Sequence, residues 1–219
     1  MQRKLVVFDW DGTLMDSLHS IVKAMQACAR ELNLREPSDE QVKSIIGLSL
    51  SKANTVLFGA LSKAADEALI ESYKRHYLSI ETSNPSQLYP GIRDLLEMLV
   101  ERGCLLAVAT GKGHNGLDRV MRQSQTLHLF NAHRGADQAR SKPDPLMLTQ
   151  ILDQLECDVE QAIMVGDASF DLEMARNKGM HAIGVSYGAQ DKQSLEGFAY
   201  PIVDSVEELR QTLTAFIES

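Results

Sequence analysis

Cysteine is scarce in this 219-residue chain, long apolar runs are missing, and basic charge is in deficit. Its three cysteines, Cys28, Cys104 and Cys157, are far apart and set among apolar neighbours. A disulfide framework needs an even set of thiols, and a catalytic thiol needs a nearby His in a polar setting. Neither condition is met, so all three read as structural side chains in a reducing, cytoplasmic setting. No stretch approaches the length of a membrane span. The opening Met1-Gln2-Arg3-Lys4-Leu5-Val6-Val7-Phe8 imitates a signal peptide only until Asp9 and Asp11 cut the apolar run short. With 22 Lys and Arg against 30 Asp and Glu, the net charge of −8 argues against nucleic acid or an anionic membrane as partner. A small anionic substrate stays open, because a few cations and a metal can set the local field. Internal repeats and low-complexity segments are also absent. What remains is ordinary globular composition, 44% hydrophobic and 24% charged, in a chain long enough for one core plus a smaller inserted module.

Short runs rich in Val, Ile, Leu and Ala predict buried strands at Leu5 to Phe8, Leu105 to Ala109, Ala162 to Val165 and Ala182 to Val185. Near-continuous hydrophobicity of this kind suits a parallel sheet covered on both faces. Helical patterns separate the runs. One begins after Pro90-Gly91 and stops at Gly103, and another carries Leu146, Leu148, Ile151, Leu152 and Leu155. A third holds Met174 and Ala175 and ends near Gly179, and the last opens on the capping-box pattern Ser205-Val206-Glu207-Glu208. Strands alternating with helices predict an α/β fold with a doubly wound parallel sheet.

One interval breaks the alternation. From about Asp16 to Pro85 only helical patterns occur, first around Leu18, Ile21, Val22, Met25 and Leu32, then near 39–46, 50–58 and 66–80. The interval is too long for one crossover connection, so it reads as an all-helical cap domain, 16–85, inserted into a core of 1–15 and 86–219. Such a cap would sit over the strand ends and move about hinges near Asp16-Ser17 and Ser86 to Pro90.

The chemistry gathers where strands end. Phe8-Asp9-Trp10-Asp11-Gly12-Thr13-Leu14 sets two carboxylates and a hydroxyl at alternate positions past the first strand. In extended chain these would converge on one side, and packing gives no reason for two acids there. A site that attacks with one carboxylate and moves a proton with the other does give one. Thr110-Gly111 ends another strand with a hydroxyl and a residue that lets backbone N–H groups approach an anion. Lys142, before Pro143-Asp144-Pro145, places an ammonium on a stiff turn suited to a phosphate oxygen. Gly166-Asp167-Ala168-Ser169-Phe170-Asp171 adds two hard oxygen ligands of the kind that hold Mg²⁺, about one helical turn apart. Taken singly, Thr110 could be a turn residue, Lys142 a solvated lysine and Asp167 a helix cap. Together, four clustered acids would repel by several kcal/mol without a counter-ion, so a divalent cation is implied. Such a pocket fits phosphoryl transfer.

In order and spacing, Asp9-Trp10-Asp11-Gly12-Thr13, Thr110-Gly111, Lys142-Pro143 and Gly166-Asp167 to Asp171 resemble the four motifs of the haloacid dehalogenase superfamily. The insert resembles the small helical cap of its phosphoglycolate-phosphatase-like members, and the resemblance spans nearly the whole chain. It implies a Rossmann-like core and a Mg²⁺-dependent phosphatase acting on a small phosphorylated metabolite through an aspartyl-phosphate. Asp9 would be the nucleophile and a metal ligand. Asp11 would protonate the leaving alcohol, activate the hydrolytic water and touch the metal through its carbonyl. Thr110 and the Gly111 amide would hold phosphoryl oxygens, and Lys142 would neutralise them and steady Asp9. Asp167 would be the second metal carboxylate, with Asp171 in its surroundings or paired with Lys142. Many relatives carry Ser or Thr where this chain has Ala168, with Ser169 next, a departure that puts a supporting hydrogen bond in question but not the metal itself.

Asp11 argues against a dehalogenase or phosphonate hydrolase, which lack the second acid. A phosphosugar mutase of the β-phosphoglucomutase type shares the core motifs, but the cap, with His19 and His76 its only histidines, carries no signature for it. A non-catalytic binding module is a third reading, opposed by the presence of every chemical position. Residues facing the leaving group are expected from the turn Gly47-Leu48-Ser49 and from Lys112-Gly113-His114-Asn115. Lys112 is the candidate for a second anionic group such as a substrate carboxylate, with a solvated loop lysine as its alternative.

Overall fold

Strand β1, Leu5–Phe8, is wholly buried. Burying each such apolar side chain contributes about 1.5–3 kcal/mol, which makes this short run the centre of the fold. A computed structural model describes residues 3–219. Met1 and Gln2, the start of the signal-like stretch, lie outside the described residues. After β1 come β2 (Met15–Asp16), α1 (Leu18–Glu31), α2 (Asp39–Lys43), α3 (Leu50–Phe58), α4 (Lys63–Ser83) and β3 (Gln87–Leu88). The chain continues through α5 (Ile92–Glu101), β4 (Leu105–Ala109), α6 (His114–Gln123), β5 (Ala132–Arg134) and α7 (Leu146–Leu155). It closes with β6 (Ala162–Gly166), α8 (Ser169–Lys178), β7 (His181–Val185), α9 (Lys192–Leu195), β8 (Ile202–Val203) and α10 (Val206–Glu218).

Six strands form one parallel sheet in the order β5-β4-β1-β6-β7-β8. β1 pairs with β4 on one side (Leu5 opposite Leu105) and β6 on the other (Leu5 opposite Ala162). Alternation along the strands splits the core. Val6, Phe8, Leu106, Val108 and Val165 pack with residues of α5, α6 and α10, while Leu5, Val7, Ala107 and Met164 pack with α7 and α8. Connections run outward from β1 to β4 and β5, then from β6 to β7 and β8. The crevice past the ends of β1 and β6 is therefore the topological switch point, where such sheets bind ligands.

Between β2 and β3 only helices occur, with their own apolar cluster that includes Ile21, Val22, Met25, Val42, Leu69 and Tyr73. Glu31 on α1 ties to α4, accepting from Arg75 at 2.6 Å and meeting His76 Nε2 at 2.6 Å. β2 and β3 pair antiparallel, Met15 with Leu88 and Asp16 with Gln87, joining the chain's entry to this segment with its exit. α4 starts earlier than its apolar pattern predicts because the Ser62 hydroxyl accepts the Ala65 N–H at 3.3 Å. Edge strands β5 and β8, of three and two residues, are too short to give a periodic signal. The Ser205 hydroxyl caps α10 by accepting the Glu208 N–H, but the Glu208 carboxylate returns to Asp204 N–H, one residue before the predicted box. Cys28, Cys104 and Cys157 are free, and burial holds all three thiols above their ordinary range, Cys28 to about 12. Among the described residues no helix is long and apolar enough to cross a membrane.

Candidate active site

Alternation along an extended strand accounts for only the first acid. Asp9 still pairs in sheet fashion, donating its N–H to Val165 O at 2.9 Å. The chain then turns, with Leu14 and Met15 N–H groups both bonded to Trp10 O and Gly12 at φ +84°. Gly12 is required by that turn and by crowding, since a Cβ there would lie 2.1 Å from Asp167 Oδ2. Trp10 is fully buried and anchors the turn in the core.

The predicted acids separate into two groups. Asp9, Asp167 and Asp171 each present a carboxylate oxygen within 4.8 Å of the others, and all three are buried. Lys142, itself without exposed surface, donates to Asp171 Oδ1 at 2.6 Å and lies 3.0 Å from Asp9 Oδ1. The second contact is off the hydrogen-bond direction, so Asp9 Oδ1 is buried with no donor. Burial alone would lower the Lys142 proton affinity, but Asp171 and Asp9 outweigh it and raise the pKa. Asp11 stands apart. Its Oδ1 accepts the Ser17 hydroxyl at 2.6 Å, and its Oδ2 is 3.1 Å from Lys112 Nζ. Lys112 is thus neither solvated nor unengaged, lying 4.4 Å from the centroid of the Tyr77 ring.

Asp167 is fixed by two donors, the Thr13 hydroxyl at 2.8 Å and the Ala189 N–H at 2.7 Å. Even so, burial, then the neighbouring Asp9 and Asp171, push its pKa well above the ordinary carboxylate range. Burial likewise raises Asp171, and Asp9 adds to it, against the opposing pull of Lys142. Three buried carboxylates share one ammonium. A donor set of hard oxygens short of positive charge suits Mg²⁺.

Thr110 and Gly111 follow β4, and with Asp9 and Asp11 they line a cavity of about 360 Å³ between the sheet ends and the helical segment. Lys142, Asp167 and Asp171 do not line it. The Thr110 hydroxyl oxygen accepts the Lys112 N–H at 3.3 Å, leaving its proton to donate. Gly47 and Leu48 close over Gly111, where a Cβ would meet their carbonyl oxygens at 2.6 and 2.5 Å. Ser49 N–H reaches the Ser141 hydroxyl at 3.0 Å, beside Lys142.

Ser17 and the Gly188-Ala189 pair were not legible as site residues. Gly188 follows the apolar run of β7, a strand end that could have drawn attention to it. A Cβ on Gly188 would stand 2.3 Å from Asp167 Cβ and 2.4 Å from Gly12 O. Gly188→Ala is expected to displace Asp167 and to weaken any divalent-cation binding at the acid cluster about ten- to a hundredfold. Calorimetric titration with Mg²⁺ checks it.

A doubly wound α/β sheet with carboxylates, a lysine and a hydroxyl converging past its central strand ends defines an enzyme of the phosphoryl-handling type. The chain belongs to the haloacid dehalogenase-like hydrolases, whose sequence pattern matches residues 6–185. It is 31% identical to a phosphoglycolate phosphatase of Aliivibrio fischeri over 195 residues, covering 84% of this chain and 85% of that protein. The same identity and coverage relate it to a phosphoglycolate phosphatase of Vibrio cholerae. A crystal structure of a predicted phosphatase from Clostridium acetobutylicum superimposes with a TM-score of 0.87 at 25% identity, over 98% of this chain and all of that one (100%).

Proposed function

We propose that the protein is a Mg²⁺-dependent phosphatase that hydrolyses a small phosphomonoester through a phosphorylated Asp9. The observation that carries this reading is the placement of Asp9 and Asp11 on the wall of one cavity with Thr110 and Gly111, above a buried acid cluster that holds Lys142. The names of the relatives, phosphatases acting on a phosphorylated metabolite, support it.

A Asp9 carboxylate oxygen attacks phosphorus while Asp11 gives a proton to the leaving alcohol oxygen. The Thr110 hydroxyl and Gly111 N–H orient phosphoryl oxygens, and the Lys142 ammonium offsets charge on Asp9 and Asp171. Asp11, now deprotonated, takes a proton from the water that attacks the acyl phosphate and frees Asp9. Asp9 and Asp167, with the Asp11 backbone carbonyl, would hold Mg²⁺, which would supply positive charge for the phosphoryl oxygens, while Asp171 stays paired with Lys142. The helical segment 16–85 serves as a cap that excludes water, with the β2–β3 ribbon at its base.

The direct test is phosphate release from p-nitrophenyl phosphate with Mg²⁺ and with EDTA. Release that is insensitive to chelation, or none at all, would remove the reading. Asp11→Asn is expected to lower turnover ~10²–10⁴-fold with little change in KM, since the amide keeps the shape but transfers no proton. Steady-state kinetics on an alkyl phosphate, whose alcohol needs that proton, checks it.

A further inference from the structure

Among the described residues, one cation lining the cavity has no acid partner. Lys112 pairs with Asp11 at 3.1 Å, and Lys74, at the rim, pairs with Glu71 at 2.9 Å. Arg119, on α6 and facing the same cavity, makes no ion pair and no hydrogen bond among the described residues, and its Nε is buried without a partner. Its guanidinium lies over the face of Tyr77, at 5.9 Å from the ring centroid, near the outer limit of such attraction. Asp137 also lines the cavity but is committed elsewhere, accepting the His114 N–H at 2.8 Å at the start of α6. Arg119 lies five residues further along that helix, about 7.5 Å along its axis. Gly116 and Asn115, about one turn before Arg119, also border the cavity, and a Cβ on Gly116 would meet the Lys112 side chain at 3.3 Å.

Away from Asp9, Asp11 and Thr110, much of the remaining wall is apolar or aromatic. Ile21, Met25, Ile45, Leu48, Tyr73 and Tyr77 all contribute to it. A volume of about 360 Å³ falls in the ~300–1,000 Å³ range that encloses drug-sized ligands, well beyond a phosphoryl group with a two-carbon acid. A partly desolvated guanidinium without an acid is costly to keep unless a ligand supplies the anion, and its planar fork matches an oxyanion.

We propose that Arg119 binds an anionic group on the leaving alcohol, so that the preferred substrate is a phosphomonoester whose second anion, carboxylate or phosphoryl, is separated from the ester by an apolar stretch. Lys112, engaged with the proton-transfer acid, is not that anchor. The proposal rests on the phosphatase reading above and narrows its substrate class.

The test compares the phosphate esters of ω-hydroxyhexanoate and of its neutral amide, hexanediol bisphosphate, and phosphoglycolate, with p-nitrophenyl phosphate as a control for the chemistry. Parent enzyme is expected to favour the hexanoate ester over its amide about tenfold or more in kcat/KM, and over phosphoglycolate, although glycolate is the better leaving alcohol. Hexanediol bisphosphate exceeding the hexanoate ester identifies the anion as phosphoryl, and the reverse identifies it as carboxylate; both support the proposal. The acid-to-amide ratio, which cancels differences in active fraction, is expected to fall to about two or less in Arg119→Gln and to persist in Arg119→Lys. Equal rates for the acid and amide esters in the parent, or an unchanged ratio in Arg119→Gln, overturns the proposal while p-nitrophenyl phosphate is still turned over. Loss of that control activity in the parent overturns the phosphatase reading instead.

Discussion

Asp9→Asn is expected to lower phosphate release by at least about 10⁴-fold while leaving the metal-free protein as stable as the parent or more so. The two effects have one origin. Asp9 is buried within 4.8 Å of the Asp167 and Asp171 carboxylates, and among the described residues Lys142 alone pairs with this cluster, at Asp9 and Asp171. An amide of the same shape removes one repelling charge from a water-poor site, and Lys142 keeps its shorter bond to Asp171 at 2.6 Å. The same amide is a poor nucleophile. Thermal unfolding in EDTA and in Mg²⁺ checks the stability half. The Mg²⁺-induced rise in Tm should shrink in the variant, because a ligand stabilises only by its preference for the folded site. Turnover within about tenfold of the parent would mean that another group attacks phosphorus.

Lys142→Met carries the opposite signature, losing activity and stability together. The side chain is close in volume and fits an apolar pocket, so packing changes little. Charge changes greatly, because Asp9 and Asp171 are left buried without their ammonium. Breaking a buried pair by removing one partner costs about 3–5 kcal/mol. Urea unfolding is expected to give a loss of that order, with turnover falling alongside it. Adding Asp171→Asn to Lys142→Met should return part of the lost stability, since the shared site makes the two changes non-additive. Strict additivity would mean that the 2.6 Å contact contributes no coupling.

Much of this architecture is legible before any coordinates. Val-, Ile- and Leu-rich runs mark β1, β4, β6 and β7 because a strand covered on both faces excludes polar residues along its whole length. Those strands carry Asp9, Thr110 and Asp167, so finding the strand ends also finds the site. Other features are decided at longer range. The turn at Gly12, not strand alternation, directs Asp11 away from the acid cluster and toward Ser17 and Lys112. Edge strands β5 and β8 exist because neighbours offer them a ladder, not because their residues demand one.

By itself the sequence determined which residue types could do chemistry here and the order in which the strands deliver them, since hydrophobic period and residue chemistry are local properties. Tertiary structure alone decided that Lys112 pairs with Asp11, that the Ala189 N–H holds Asp167, and that Arg119 faces the cavity with no acid partner among the described residues. Those pairings join residues up to more than a hundred positions apart. They follow from the distances at which folding leaves the charges and from the burial that makes each distance matter.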